Sequence, residues 1–162
     1  MSRFSIRPAR PEDVGLVRAL ILELAEYERL AHEAVVTESD IERALFGDPA
    51  RAFCDIAWAG DEAVGFALWF YNFSTFVGRA GLWLEDLYVR PEARGLGAGK
   101  ALLAGLAKRC ADENLGRLEW SVLNWNAPSI AFYDSLGAEA MSGWTTRRMT
   151  GEPLARLAEA AP

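Results

Sequence analysis

The chain has 162 residues, 51% of them apolar and 25% charged, with a formal net charge of −6. That length supports a full hydrophobic core in one domain, and the composition is globular rather than disordered or fibrous. The acidic balance disfavours nucleic acid and anionic membrane surfaces as partners, and a single histidine, His32, excludes a histidine-rich metal site.

The opening MSRFSIRPARPED has no apolar core, and no run reaches the roughly 18 apolar residues of a membrane span. Neither a secretory leader nor a membrane anchor is expected, which leaves the cytoplasm as the default location. Phe4–Arg7 reads as a short strand. Arg10-Pro11-Glu12-Asp13 opens a helix, with proline early and acids in the first turn. Its apolar stripe runs through Val14, Val17, Ile21 and Leu24 and continues to Glu28. A second helix starts at Thr37–Asp40, capped by Thr37 or Ser39, buries Ile41 and Leu45, and ends near Gly47-Asp48-Pro49.

Residues 52–59 and 62–72 are strands joined by a tight Gly60-Asp61 turn, and 80–89 is a further strand. Leu102, Leu103, Leu106 and Cys110 make the apolar stripe of a third helix. Leu118–Leu123 reads as a strand, and Asn126 caps a helix that runs to Leu136 and stops at Gly137. Trp144–Thr150 is expected to be the last strand, followed by a poorly ordered tail over 151–162. Cys54 and Cys110 are far apart, without metal-type spacing, and read as small buried residues. No linker interrupts the chain, so one domain over 1–162 is expected.

The element order predicts an α/β fold of mixed-sheet type. Short turns make the middle strands antiparallel, while the strand at 80–89, the helix after it and the strand from 118 form a right-handed β-α-β crossover with a parallel pair. Ligands enter such sheets where antiparallel pairing gives way to parallel.

The most informative segment is Arg94-Gly95-Leu96-Gly97-Ala98-Gly99-Lys100, between a strand and a helix. Glycines there leave backbone N–H groups uncovered at a helix N-terminus, where a phosphate is favoured. A dinucleotide fingerprint fails because the sixth position from Gly95 is Lys100. A Walker loop fails because only three residues separate Gly95 from Gly99 and Ala101 follows Lys100. A tight strand-to-helix turn with no ligand is the alternative.

This loop, after Leu87-Tyr88-Val89 and Pro91, resembles the acetyl-CoA loop of the GNAT superfamily of N-acetyltransferases. The resemblance covers nearly the whole chain. Leu24-Ala25-Glu26-Tyr27-Glu28, Leu84-Glu85-Asp86, Trp125-Asn126-Ala127-Pro128-Ser129 with Phe132-Tyr133, and Gly143-Trp144 resemble the diamine (spermidine/spermine) acetyltransferase branch. The resemblance implies a GNAT-like fold, mostly antiparallel with helices on both faces. It further implies a homodimer and acetyl transfer from acetyl-CoA to a primary amine of a diamine, polyamine or lysine/thialysine-like acceptor, without a metal. Leu87, Tyr88, Val89, residues 94–100, Asn126, Ser129 and Tyr133 would then hold the coenzyme, and Tyr27, Glu28, Glu85, Asp86 and Trp144 the amine. Asn126 and Ser129 are equally explained as a helix cap.

An alkyl ammonium of pKa near 10.4 is about 1 in 2,000 deprotonated at neutral pH, which costs roughly 4–5 kcal/mol before any attack. A carboxylate that binds the cation and takes its proton, directly or through water, removes that obstacle. Glu85 is the first candidate. Adjacent Asp86 points to the other face of a regular strand, so both can face the amine only across a bulge, which the family carries in this strand. The Leu87 or Tyr88 N–H would steady the thioester oxygen. Tyr133 is the candidate general acid for the departing thiolate, because it falls on the tyrosine of the branch's Asn-x-Pro-Ser-x-x-Phe-Tyr pattern. Ser142 stands where polyamine enzymes have an acid before Gly-Trp, which favours a shorter amine. Protein lysine or N-terminal acetylation, and a non-catalytic acyl-CoA-binding module, are the competing readings.

Overall fold

The computed structural model describes residues 3–162, which fall into two units, one ending at Leu123 and one spanning Asn124–Pro162. The first is a five-stranded sheet with three helices. Its strands are β1 (Ser5–Pro8), β2 (Phe53–Ala59), β3 (Glu62–Ser74), β4 (Arg79–Val89) and β5 (Leu118–Trp120), lying side by side in that order. The first four pair antiparallel, and β4 pairs parallel with β5 through α3 (Ala98–Asp112), as the crossover pattern predicts.

Helices α1 (Val14–Tyr27) and α2 (Glu38–Phe46) precede β2. Val17, Leu20 and Leu24 recur at helical spacing and are buried with Ile41 and Leu45 of α2 against Ile56, Phe66 and Tyr88 of the sheet. The start of α1 is fixed by Asp13, whose carboxylate accepts from both ends of the Arg7 guanidinium at 2.7 and 3.1 Å and from the Arg10 N–H at 2.8 Å. Thr37 caps α2: its hydroxyl accepts from the Asp40 N–H at 3.2 Å, and Asp40 accepts from the Thr37 N–H at 3.0 Å.

Pairing register separates the two faces of the sheet. Phe66 and Leu68, opposite Tyr88 and Asp86, share the α1 face. Trp69, opposite Leu84, belongs to the other face, where the Arg109 guanidinium of α3 stacks over it at 4.9 Å. Helices therefore cover both faces.

Three expectations change in the chain's last third. The strand expected over 118–123 ends at Trp120. Residues 144–150 form no strand: their side chains are exposed and no ladder accepts their backbone. Thr145 and Thr146 favour extended backbone, but propensity without a paired neighbour does not make a strand. The tail expected to be poorly ordered contains helix α5 (Gly151–Glu159), supported by an Arg156–Glu152 pair at 3.2 Å one turn apart. Helix α4 (Ala127–Ser135) forms as predicted, with Asn126 as its cap and Gly137 past its end at φ +83°.

Leu20, fully buried, seats α1 on the sheet. Leu20→Ala should lower unfolding free energy by about 2–5 kcal/mol in denaturant titration; a loss under 1 kcal/mol would show that α1 is not held by this core.

Candidate active site

Strand β4 organises the candidate site. Leu68 pairs with Asp86 while Trp69 pairs with Leu84, so Glu85 is one residue more than β3 can match. This bulge cancels the alternation. Trp83 pairs with Phe70, and Phe70 shares a face with Leu68; Trp83 and Asp86 therefore point the same way, and Glu85, two residues past Trp83, joins them. Both adjacent carboxylates lie on the α1 face.

Their environments differ. Glu85 is exposed and accepts from the Trp83 indole N–H at 2.9 Å. Asp86 is largely enclosed, and burial, reinforced by the charges of Glu85 and Glu28, raises its pKa from 3.8 to about 7. Glu28 follows the last residue of α1 and is itself raised by burial. The charges of Glu85, on the same strand, and of Glu28, at the end of α1, thus both reach the enclosed Asp86, and no basic side chain offsets them there. That arrangement suits a cation from outside.

The opposite edge of β4 opens at the same point. The β4–β5 ladder ends at Leu84 opposite Trp120. Past the bulge, Arg90 N–H donates to Val64 O on the β3 side at 2.9 Å. Alternation then directs the Tyr88 N–H toward β3 and the N–H groups of Leu87 and Val89 toward the opened edge. Tyr88 itself is buried on the α1 face.

The glycine turn follows directly. Gly95 and Gly97 have φ of +71° and +98°, conformations that side chains disfavour, and a Cβ at either would meet no atom within 4 Å. Gly97 stands at the N-cap of the 15-residue α3 with no side chain capping it. Residues 94–97 and Lys100 are exposed, whereas Ala98 is buried and anchors the helix. The turn is an unobstructed row of main-chain donors at the positive end of a long helix, which fits a diphosphate.

Tyr27 ends α1 half-buried, and its ring lies under the Arg94 guanidinium at 4.6 Å. In the second unit, Asn126 is buried and its side-chain oxygen accepts from the Ser129 N–H at 3.4 Å, the capping role expected. Tyr133 is half-buried on α4, its ring 5.4 Å from that of Phe132, and Trp144 is 75% exposed. Sequence reading missed Trp83 and the Arg90–Glu23 pair, whose two bonds measure 3.0 and 2.8 Å. Trp83 was available from its two-residue spacing to Glu85; the ion pair joins residues 67 apart and leaves no local signal. Among the described residues no group of three acidic, histidine or cysteine side chains could hold a metal ion, and no helix is long and apolar enough to cross a membrane.

Residues 17–138 match the acetyltransferase (GNAT) family. The chain belongs to the GNAT family. Acetyl-CoA is that family's cosubstrate, and the uncapped glycine turn is of the kind such a coenzyme requires. Among relatives, the thialysine N-epsilon-acetyltransferase of Caenorhabditis elegans is 35% identical, with 98% of this chain and 99% of that protein covered. A human spermidine/spermine N(1)-acetyltransferase-like protein is 33% identical over 98% of this chain but only 24% of its own length. Among solved structures, an integron cassette protein from V. cholerae superposes with a TM-score of 0.82 at 26% identity and 99% coverage of both chains. The mixed, mostly antiparallel sheet flanked by helices is thus the GNAT fold.

The raised Asp86 pKa has a consequence for stability. Folded protein holds the proton more tightly than the unfolded chain, so this group's contribution turns unfavourable as pH rises from about 4 toward 7. Asp86→Asn removes that burden. Its melting temperature should exceed wild type by roughly 2–6 °C at pH 8 and match it near pH 4; equal shifts at both pH values would count against a buried, proton-holding carboxyl.

Proposed function

We propose that this GNAT enzyme acetylates a primary amine of a small cationic acceptor, of the size and charge of thialysine, lysine or a diamine. The observation that carries the reading is the bulge in β4, which turns Glu85 and Asp86 to the α1 face of the strand that leads into the glycine turn, within reach of the charge of Glu28. The names of the relatives, enzymes acting on thialysine and on spermidine or spermine, support the same acceptor class.

Each residue then has a separable task. N–H groups from Gly95 to Lys100 and the positive end of α3 hold the coenzyme diphosphate, with Arg94 and Lys100 adding charge. Bound acetyl-CoA supplies the acyl carbonyl. The Leu87 N–H, directed toward the opened edge of β4, is the donor for that carbonyl oxygen; Tyr88, whose N–H faces β3, is assigned to packing beneath it. Asp86 and Glu28 draw in the ammonium group, with Tyr27 as a further wall of the acceptor site; the role of Trp144 toward the amine rests on the resemblance to the diamine branch alone.

A carboxylate with a pKa near 7 is a better proton acceptor than an ordinary one near 4, which assigns the base role to the enclosed Asp86. Glu85, exposed and tied to Trp83, then orients the amine and passes the proton outward through water. On the resemblance to the diamine branch, Tyr133 protonates the departing thiolate; Asn126 and Ser129 fix the start of its helix. The proposal includes a homodimer, which the resemblance to the diamine branch supports; a monomer in sedimentation at micromolar concentration would remove that part.

Thiol release from acetyl-CoA should be observed with thialysine, lysine or short diamines, and its absence across that panel and the polyamines would end the reading. Tyr133→Phe should lower kcat ten- to a thousand-fold with acetyl-CoA affinity retained. Asp86→Asn should raise the amine KM by about ten- to a hundred-fold, the size of a lost charge-assisted hydrogen bond. In wild type that KM should fall as pH rises through about 7 and Asp86 ionises; a KM that is flat with pH, or an unchanged variant, would exclude Asp86 from the acceptor site.

A further inference from the structure

Two arginines four residues apart hold two α1 residues that are also four apart. Arg90 grips Glu23 through two bonds at 3.0 and 2.8 Å and donates to Ala63 O at 2.9 Å. Arg94 lies over the Tyr27 ring at 4.6 Å and within 5.6 Å of the Tyr88 ring, with its Nε donating to Val89 O at 2.8 Å. The two contacts differ in kind. The first is a half-buried, bidentate ion pair that serves as a fixed pivot. The second is a cation–π contact made by an exposed side chain that adjoins the glycine turn.

We propose that Tyr27 is a positioning residue: by stacking on Arg94 it couples occupancy of the glycine turn to the placement of Glu28, and so makes coenzyme and amine bind cooperatively. The proposal rests on the acceptor reading of Glu28 and Asp86 given above. Its physical basis is that a guanidinium has distinct surfaces. One of Arg94's five N–H donors is committed to Val89 O and its face is committed to Tyr27, which leaves edge donors for an anion at the turn. An anion there orders the guanidinium, and the ordered guanidinium holds Tyr27. Glu28 is the next residue, with its own N–H still bonded to Leu24 O at 2.9 Å, so fixing Tyr27 fixes the carboxylate that approaches Asp86. Entropy lost in ordering this end of α1 is then lost once, with the first ligand, and the second binds more tightly. By linkage the effect is reciprocal.

Calorimetry with CoA and thialysine tests this. In wild type each ligand should bind about three- to tenfold more tightly when the other is saturating, the scale of one cation–π contact. Tyr27→Leu should reduce that factor below about two, whereas Tyr27→Phe, which keeps the ring face, should preserve it. Arg94→Lys keeps the charge without the planar face and should also lose the coupling, and combining it with Tyr27→Leu should add no further loss. A merely structural role for Tyr27 would shift melting temperature without changing the coupling factor. The proposal is overturned if wild type shows no coupling, if Tyr27→Leu retains it, if Tyr27→Phe loses as much as Tyr27→Leu, or if the losses in the double variant add. Wild type that binds CoA but no amine would instead overturn the acceptor reading, and this coupling with it; amine binding that persists without a Tyr27-dependent factor overturns the coupling alone.

Discussion

Glu85 has no partner on β3, and the rest of the site depends on that one unmatched residue. A regular strand would send Glu85 and Asp86 to opposite faces and place one of them under α3. The bulge instead turns both toward α1, where Glu28 waits at the helix end. It coincides with the end of β4–β5 pairing, so main-chain donors beyond it face an opened edge rather than a neighbouring strand. Charge on one face and amides along one edge arise from a single irregularity.

Such a cluster works against folding. Asp86 is enclosed beside two like charges, and its pKa near 7 measures how unwelcome its anion is there. The strain is tolerated because the surrounding structure is over-determined: Val17, Leu20 and Leu24 bury against Ile56 and Phe66, and Arg90 ties Glu23 to the strand end. Poor solvation that costs stability also raises the basicity of the Asp86 carboxylate. In the proposed reading, function and destabilisation have the same electrostatic cause.

The glycine turn uses a different currency. It has no charge of its own to bury; it offers oriented N–H dipoles at the end of a long helix, kept accessible because positive φ at Gly95 and Gly97 excludes side chains. Because β4 ends close to this turn, an anion bound there and a cation bound at Asp86 are held by one continuous piece of chain. Arg90 and Arg94 brace that piece against α1, the first through an ion pair and the second through a ring.

The local elements were legible in the sequence because their signals are local. Proline and acids at 11–13, Thr37 with Asp40, Gly60-Asp61 and the glycines at 95 and 97 each dictate nearby backbone, and short turns dictate antiparallel pairing. Trp144–Thr150 misled because extended propensity is only a disposition until a neighbouring strand accepts its hydrogen bonds. From the residues alone came the fold class, the glycine turn before a helix and the carboxylates at 28, 85 and 86. Tertiary structure alone decided that Asp86 rather than Glu85 is the enclosed acid, that Leu87 rather than Tyr88 directs its amide to the open edge, and that Arg94 rests on Tyr27. Each of these depends on register between strands or on contacts across some 67 residues, and burial is a property of what lies opposite, which no stretch of sequence contains.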